Sequence, residues 1–309
     1  MPLSIKQLGP CFVGEASGLD LTKPLARADI DAINEGMNKY GVLIFHDQHF
    51  TNDQQLSFTQ SLGPLETAIG FNLRASDDRR LASPHFADVS NLDKDGNTLA
   101  RDSQKRLYNI GNQLWHSDSS FKTVPAKYSL LHARTVTSKG GETEFADMRA
   151  AWDALDAERK TLCEPLVCEH SRLYSRGLLG FTRADFTDKD AATIRPVLQT
   201  LVRTHPGSGR KSLYLSSHAG KIVGWSEPES KLFLMDLVEH ATQREFTYAH
   251  TWRVGDLVMW DNRATMHRAR PFPHDEPRDM RRTTLAGDGP TVSGQDDAGT
   301  WVREAVSAS

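Results

Sequence analysis

Two residues of one short stretch and a third far along the chain carry side chains that suit a metal ion. His116 and Asp118 lie in Asn112-Gln113-Leu114-Trp115-His116-Ser117-Asp118-Ser119-Ser120-Phe121, and His267 closes Trp260-Asp261-Asn262-Arg263-Ala264-Thr265-Met266-His267. An H-x-D pair plus a distant histidine is the ligand set of a 2-His-1-carboxylate triad. Such a triad fills one face of an octahedron, leaves the other open, and suits iron(II) in oxygenases. On a strand, residues two apart point to one side, so His116 and Asp118 would reach one ion together. The pattern is short, and taken alone His267 also reads as a hydrogen-bonded core histidine.

Arg278 and Arg282 follow in Pro277-Arg278-Asp279-Met280-Arg281-Arg282-Thr283-Thr284. A buried guanidinium is a fixed fork for a carboxylate, and two on one segment suggest two carboxylates to hold. Their even spacing places both on one side of a strand. With these residues in view, the sequence resembles the taurine/2,4-dichlorophenoxyacetate dioxygenase family of Fe(II)- and 2-oxoglutarate-dependent oxygenases, and within it the phenoxyacetate branch. The matching segments are Asn112 to Phe121, Gly140 to Phe145 running into Asp147 to Ala151, Thr204 to Lys211, and Trp260 to Asp288.

The resemblance implies a role for each residue. His116, Asp118 and His267 bind Fe(II). Arg278 grips the distal carboxylate of 2-oxoglutarate, Thr143 hydrogen-bonds that cosubstrate, and Trp260 lines its pocket. Arg282 holds the anionic head of the primary substrate, carboxylate or sulfonate, with Asn112 close by and His218 in the pocket wall. Read without the family, Thr143 is also a turn residue after Gly140-Gly141, and Trp260 a core tryptophan. Arg282 is then a partner for an acid such as Asp288, and His218 a structural or surface histidine. The implied reaction consumes O2 and 2-oxoglutarate, with ascorbate keeping the iron reduced, and yields succinate and carbon dioxide. The substrate is a small carboxylic acid, an aryloxyalkanoate such as 2,4-dichlorophenoxyacetate or a similar aromatic acid. Hydroxylation beside its ether oxygen releases a phenol and an oxo acid. One departure bears on the substrate. The branch implies a basic residue soon after Gly63-Pro64-Leu65-Glu66, where this chain has neutral Ile69-Gly70-Phe71 and its nearest cation is Arg74.

Other classes stay in view. A taurine-like sulfonate dioxygenase shares the ligands. A zinc hydrolase also uses two histidines and an aspartate, but leaves Arg278 and Thr143 without a task. A non-catalytic acid-binding protein needs no ligands. Gly207-Ser208-Gly209-Arg210-Lys211 lacks phosphate-loop spacing and reads as a tight turn. Asp93 to Asn97 fails as an EF-hand, with Gly96 too early, and reads as a hairpin turn. There is no G-x-S-x-G elbow.

The elements that position these residues are those of one domain, 1–289, and a small, polar, disordered tail is expected over 290–309. A hydrophobic content of 38% with 25% charge suits a globular chain with a sizeable core. The net charge of −3 argues against a nucleic-acid surface. The three cysteines form no C-x-x-C and read as free thiols. No signal peptide or membrane span is apparent, so a cytoplasmic homo-oligomer is expected. Helices are predicted over Ala28 to Tyr40, capped by Asp29, over Thr51 to Leu62 with Leu56 and Phe58 inward, over Asp147 to Leu155, and from the Ser226-Glu227-Pro228-Glu229 capping box to Thr242. Strands are predicted at Gly41 to Phe45, Ala87 to Leu92, Tyr128 to Val136, Ser212 to Leu215, Phe246 to Val254 and Leu257 to Trp260. The pattern is mainly β with flanking helices, a sandwich or jelly roll. The resemblance implies the double-stranded β-helix. Phe71 to Ile110 is either a lid over the site or a plain surface loop.

Overall fold

Val42-Leu43-Ile44-Phe45 is apolar at every position because the strand it forms is covered on both faces. Val42 and Ile44 pack with Leu131, Phe145, Val258, Trp260 and Met280, whereas Leu43 and Phe45 pack with Ile33, Met37, Phe58, Leu130 and Met259. A strand with cover on two sides loses the polar half of the usual alternation. The computed structural model describes residues 2–69 and 79–294. Arg74 lies outside them, as do Phe71 to Asp78 of the proposed lid and residues 295–309 of the proposed tail.

The described strands are β1 (Ser4–Gln7), β2 (Gly14–Ser17), β3 (Val42–Phe45), β4 (Ala87–Ser90), β5 (Tyr128–Thr135), β6 (Thr143–Asp147), β7 (Val167–His170), β8 (Val197–Thr200), β9 (Val202–Thr204), β10 (Lys211–Leu213), β11 (Ala219–Ile222), β12 (Thr247–His250), β13 (Leu257–Asp261), β14 (Thr265–Ala269) and β15 (Asp279–Thr284). A seven-stranded sheet runs β1-β2-β3-β13-β5-β15-β4, and a three-stranded sheet runs β12-β6-β14. The core cluster around Trp260 draws Val258 and Met280 from the large sheet and Phe145 from the small one, so it fills the space between them. Helices Arg27–Tyr40 and Asn52–Leu62 cover the outer face of the large sheet. Met148–Ala154 and Glu227–Ala241 cover the small one, where Ala146 and Met266 meet Trp152, Leu234 and Leu237. The architecture is mainly β with helices on the outside. No helix among the described residues is long and apolar enough to cross a membrane.

Several local expectations shift. Asp29 does not cap the first helix. Ala26 occupies the cap, without a side-chain bond, and the apolar stripe alone holds the helix to the sheet. In the second helix Thr51 forms a full capping box with Gln54, and Gln55, Phe58 and Thr59 turn inward while Leu56 is only half-buried. Asp147 ends β6 and caps the next helix, which starts at Met148. The strand expected from Phe246 to Val254 stops at His250, and Phe246 closes a short 3-10 turn. Thr291, inside the expected tail, donates to Gln199 Oε1 at 2.6 Å and accepts from the Thr200 amide at 3.1 Å.

A fully buried ion pair ties the two outer layers. Arg149 donates to both Asp147 oxygens, at 3.0 and 3.2 Å, and to the Asn38 carbonyl at 2.8 Å. Removing one partner of such a pair strands a charge. Arg149→Ala is expected to lower stability by about 3–5 kcal/mol, measured as the shift in free energy of urea unfolding.

Candidate active site

The polypeptide joins His116 to His267 through the main chain. Each histidine's amide donates to the other's carbonyl, at 3.0 and 2.9 Å, in an isolated antiparallel bridge that adds His116 to the edge of β14. The expectation of an H-x-D strand is corrected here. Asp118 sits in a turn, and Ser119 takes a positive φ of 57°. The pair still converges, because the turn folds Asp118 back beneath both rings. The imidazole and carboxylate donor atoms of His116, Asp118 and His267 all lie within 4.8 Å of one another, and all three residues are buried. His116 Nε2 is 3.9 Å from Asp118 Oδ1, and His267 Nε2 is 3.7 Å from Oδ2.

Each donor is held in a form suited to a cation. His116 Nδ1 lies 2.7 Å from the Leu114 carbonyl, which leaves Nε2 free to face Asp118. Burial pushes both imidazoles below their usual pKa, His267 well below, so the neutral form with its lone pair is favoured. Burial alone would raise the Asp118 carboxyl. The Arg282 guanidinium, with the hydrogen bond from Ser129, outweighs it and holds the group below the carboxylate range. Ser129 Oγ donates to Asp118 Oδ2 at 2.7 Å, and Asn262 Nδ2 donates to Ser129 Oγ at 3.0 Å. Asn262 Oδ1 accepts from the Asp118 amide at 3.0 Å and from Trp260 Nε1 at 3.1 Å. Two neutral nitrogens and one ionised oxygen fit a divalent ion of the Fe(II) type.

Two cavities open on this cluster. The smaller, of about 170 Å³, is lined by Thr143, Trp260, His267, Asn91, Leu131 and Arg278 among others. Arg278 precedes β15 and is almost fully buried. Its amide is held by Asn91 Oδ1 at 2.8 Å, one terminal nitrogen reaches the Gly141 carbonyl at 3.3 Å, and the guanidinium lies 5.1 Å from the centre of the Phe272 ring. It makes no ion pair among the described residues, and burial pulls its pKa down to about 10. Thr143 Oγ accepts from Trp252 Nε1 at 3.0 Å. The ring of Trp260 lies 4.6 Å from that of His267.

The larger cavity, of about 450 Å³, contains His116, Asp118, Asn112, His218 and Arg282 in its lining. Asn112, on the 3-10 turn Ile110–Gln113, borders both cavities. His218 is buried, its ring 6.3 Å from His116 and 4.7 Å from Phe121, with Nδ1 unpartnered. Arg282 is paired with Asp118 itself rather than with Asp288, which is paired with Arg263. The β15 register shifts between Asp279 and Met280, yet Arg278 and Arg282 both border the smaller cavity. All nine residues singled out in the sequence therefore border one or both cavities. Sequence reasoning missed Ser129, Asn262, Asn91 and Trp252. Asn262 stood inside the Trp260 to His267 motif, but nothing in that motif shows that it reaches across to Asp118.

The model of the Taurine catabolism dioxygenase TauD, TfdA family matches residues 4–284. An alpha-ketoglutarate-dependent 2,4-dichlorophenoxyacetate dioxygenase of Cupriavidus pinatubonensis is 43% identical over 93% of this chain and 99% of its own length. An (S)-phenoxypropionate/alpha-ketoglutarate-dioxygenase of Sphingobium herbicidovorans is 38% identical over 81% of this chain and 83% of its own. Among solved structures, AAD-2 in complex with Mn(II) and N-oxalylglycine is 56% identical, covers 94% of this chain and 100% of its own, and superposes with a TM-score of 0.89.

Partners that orient a metal-binding side chain tune affinity. Asn262→Ala is expected to weaken divalent-metal binding about 10- to 100-fold with little change in fold, read by equilibrium dialysis against Mn(II) and by circular dichroism.

Proposed function

The chain belongs to the TauD/TfdA family of Fe(II)- and 2-oxoglutarate-dependent dioxygenases, and on that premise we propose that its primary substrate is an aryloxyalkanoate. The observation that carries this reading is the pairing of a three-donor cluster with two cavities of different character. The smaller is closed by a guanidinium without a carboxylate and suits a small dicarboxylate. In the larger, Tyr108, Phe121, Phe181 and Phe186 offer aromatic walls, and Arg282 stands beside Asp118. Its relatives from Cupriavidus and Sphingobium act on acids of that class, as their names state. The two sheets are proposed as the halves of a double-stranded β-helix within a single domain.

His116, Asp118 and His267 are proposed to hold Fe(II), which when bound activates O2 at the expense of 2-oxoglutarate and supplies the oxidant for a C–H bond. The protein's own share is positioning. Arg278 takes the distal carboxylate of 2-oxoglutarate as a charge-assisted contact. Thr143 has its oxygen occupied by the Trp252 N–H, so its hydroxyl proton is free to point at the cosubstrate. Trp260 packs against His267 and closes the pocket wall. Arg282 holds the carboxylate of the substrate and aims its ether-bearing carbon, with Asn112 and His218 bounding the space. Hydroxylation of that carbon gives a hemiacetal, which collapses to a phenol and an oxo acid. Misplacement by about 1 Å costs on the order of 100-fold in rate.

The test is turnover with Fe(II), ascorbate, 2-oxoglutarate and a panel of aryloxyalkanoates and taurine-like sulfonates. Phenol formed in step with succinate supports the reading. Turnover of sulfonates with none of the aryl ethers overturns the substrate class. Two variants separate the arginines. Arg278→Gln removes a contact worth roughly 1.5–3 kcal/mol, so the apparent KM for 2-oxoglutarate should rise about 10- to 150-fold. A rise confined to the primary substrate would mean that the roles are reversed. Arg282→Ala should instead raise the ratio of succinate to phenol, because the oxidant forms without a C–H in line. An unchanged ratio at normal turnover would leave Arg282 a structural partner of Asp118.

A further inference from the structure

We propose that the larger cavity carries a second anion-binding subsite, built on Arg176, which receives an acidic group on the substrate's aromatic ring. The proposal rests on the reading above, in which Arg282 takes the carboxylate of the side chain. Arg176 lies on helix Arg172–Gly177 and borders the same cavity as His116 and Asp118. It is 8% exposed. The guanidinium stands 4.3 Å from the centre of the Tyr108 ring. It also presses on Gly111, where a Cβ would come within 2.2 Å of a terminal nitrogen, so a glycine there leaves room for it. Its Nε has no partner, one terminal nitrogen reaches the Ser175 hydroxyl at 3.4 Å, and the Tyr108 hydroxyl is the other side-chain group set against the guanidinium.

No carboxylate answers this charge among the described residues. The acids bordering the cavity are engaged elsewhere: Glu66 with Lys122, Asp88 with Arg80, Asp118 with Arg282, Asp185 with Thr182, and Asp190 with Arg172. A buried cation without an anion is costly, and in a ligand cavity the anion is supplied by the ligand. Arg278 presents the same features in the smaller cavity, where the cosubstrate's carboxylate answers it. Arg176 and Arg282 share no partner, since Arg282 is set against Asp118 and Arg176 against Tyr108 and Gly111. The two guanidiniums therefore address two groups of one ligand. Aromatic walls line the same cavity, with Tyr108 edge-to-face against Phe181 at 5.9 Å and Phe186 at 6.4 Å. The ligand class is an aryloxyalkanoate whose ring bears a carboxylate or phenolate.

The test compares phenoxyacetate with its 3- and 4-carboxy derivatives on the intact enzyme loaded with Fe(II) and 2-oxoglutarate. At least one dianion should show a kcat/KM about 10-fold above phenoxyacetate, the size of one charge-assisted contact. Arg176→Gln should erase that preference while leaving phenoxyacetate turnover and the KM for 2-oxoglutarate near wild type. Arg176→Lys should keep part of it. Gly111→Ala, which displaces the guanidinium without removing it, should lower the preference as well. A wild type without preference for either dianion overturns the subsite. So does an equal loss on all three acids in Arg176→Gln, which would make Arg176 structural. Turnover of none of the three acids, with succinate released on another class of acid, strikes the substrate reading above and the subsite with it.

Discussion

A carboxylate placed in the interior must be met by hydrogen bonds and charge, or the fold expels its ionised form. Asp118 is 4% exposed and meets that demand through Ser129 on β5, Asn262 after β13 and Arg282 on β15. Those three strands are neighbours in the large sheet, whereas His267 and the bridged His116 belong to the small one. The carboxylate is thus the point where the two sheets exchange their polar groups. The apolar cluster around Trp260 and Phe145 fixes the distance between them. Asn262 answers three groups at once, the Asp118 amide, the Trp260 indole and the Ser129 hydroxyl.

The arginines around this centre are sorted by their partners. Arg149 and Arg263 are neutralised by Asp147 and Asp261 and serve packing. Arg80 ties Asp88 of β4 to Asp279 of β15 and braces the strand between Arg278 and Arg282. Arg278 and Arg176 are buried without an ion pair among the described residues, each facing a cavity. Arg282 stands between the groups, paired with the metal-site carboxylate and bordering both cavities. A substrate anion at Arg282 would take over part of that pairing and leave Asp118 to its cation.

The residues proposed to carry chemistry were legible because they stand in compact motifs. His116 and Asp118 share one stretch, His267 closes another, and Arg278 with Arg282 follows soon after. Local punctuation also showed through, as at the Ser226 capping box and the Asp93 to Asn97 turn. The H-x-D stretch read as a strand because period two fits it, yet Ser119 at positive φ turns the chain, and no pattern of residue types announces that. Long-range partners were hidden for a different reason. Ser129 sits in a strand that packs on both faces, and its hydroxyl matters only because β5 runs beside β13. Arg176 lies in a short helix with no motif. Its meaning depends on Tyr108 and Gly111, which only the folded chain sets against it.

His116, Asp118 and His267 are proposed to hold one iron between two sheets. That assignment is tested most directly by anaerobic Fe(II) titration of the metal-free protein, with metal analysis, in wild type and in Asp118→Ala. Wild type is expected to take up one ion per chain, and the variant to lose it under limiting iron. A variant that still takes up one ion per chain, with unchanged affinity, would contradict it.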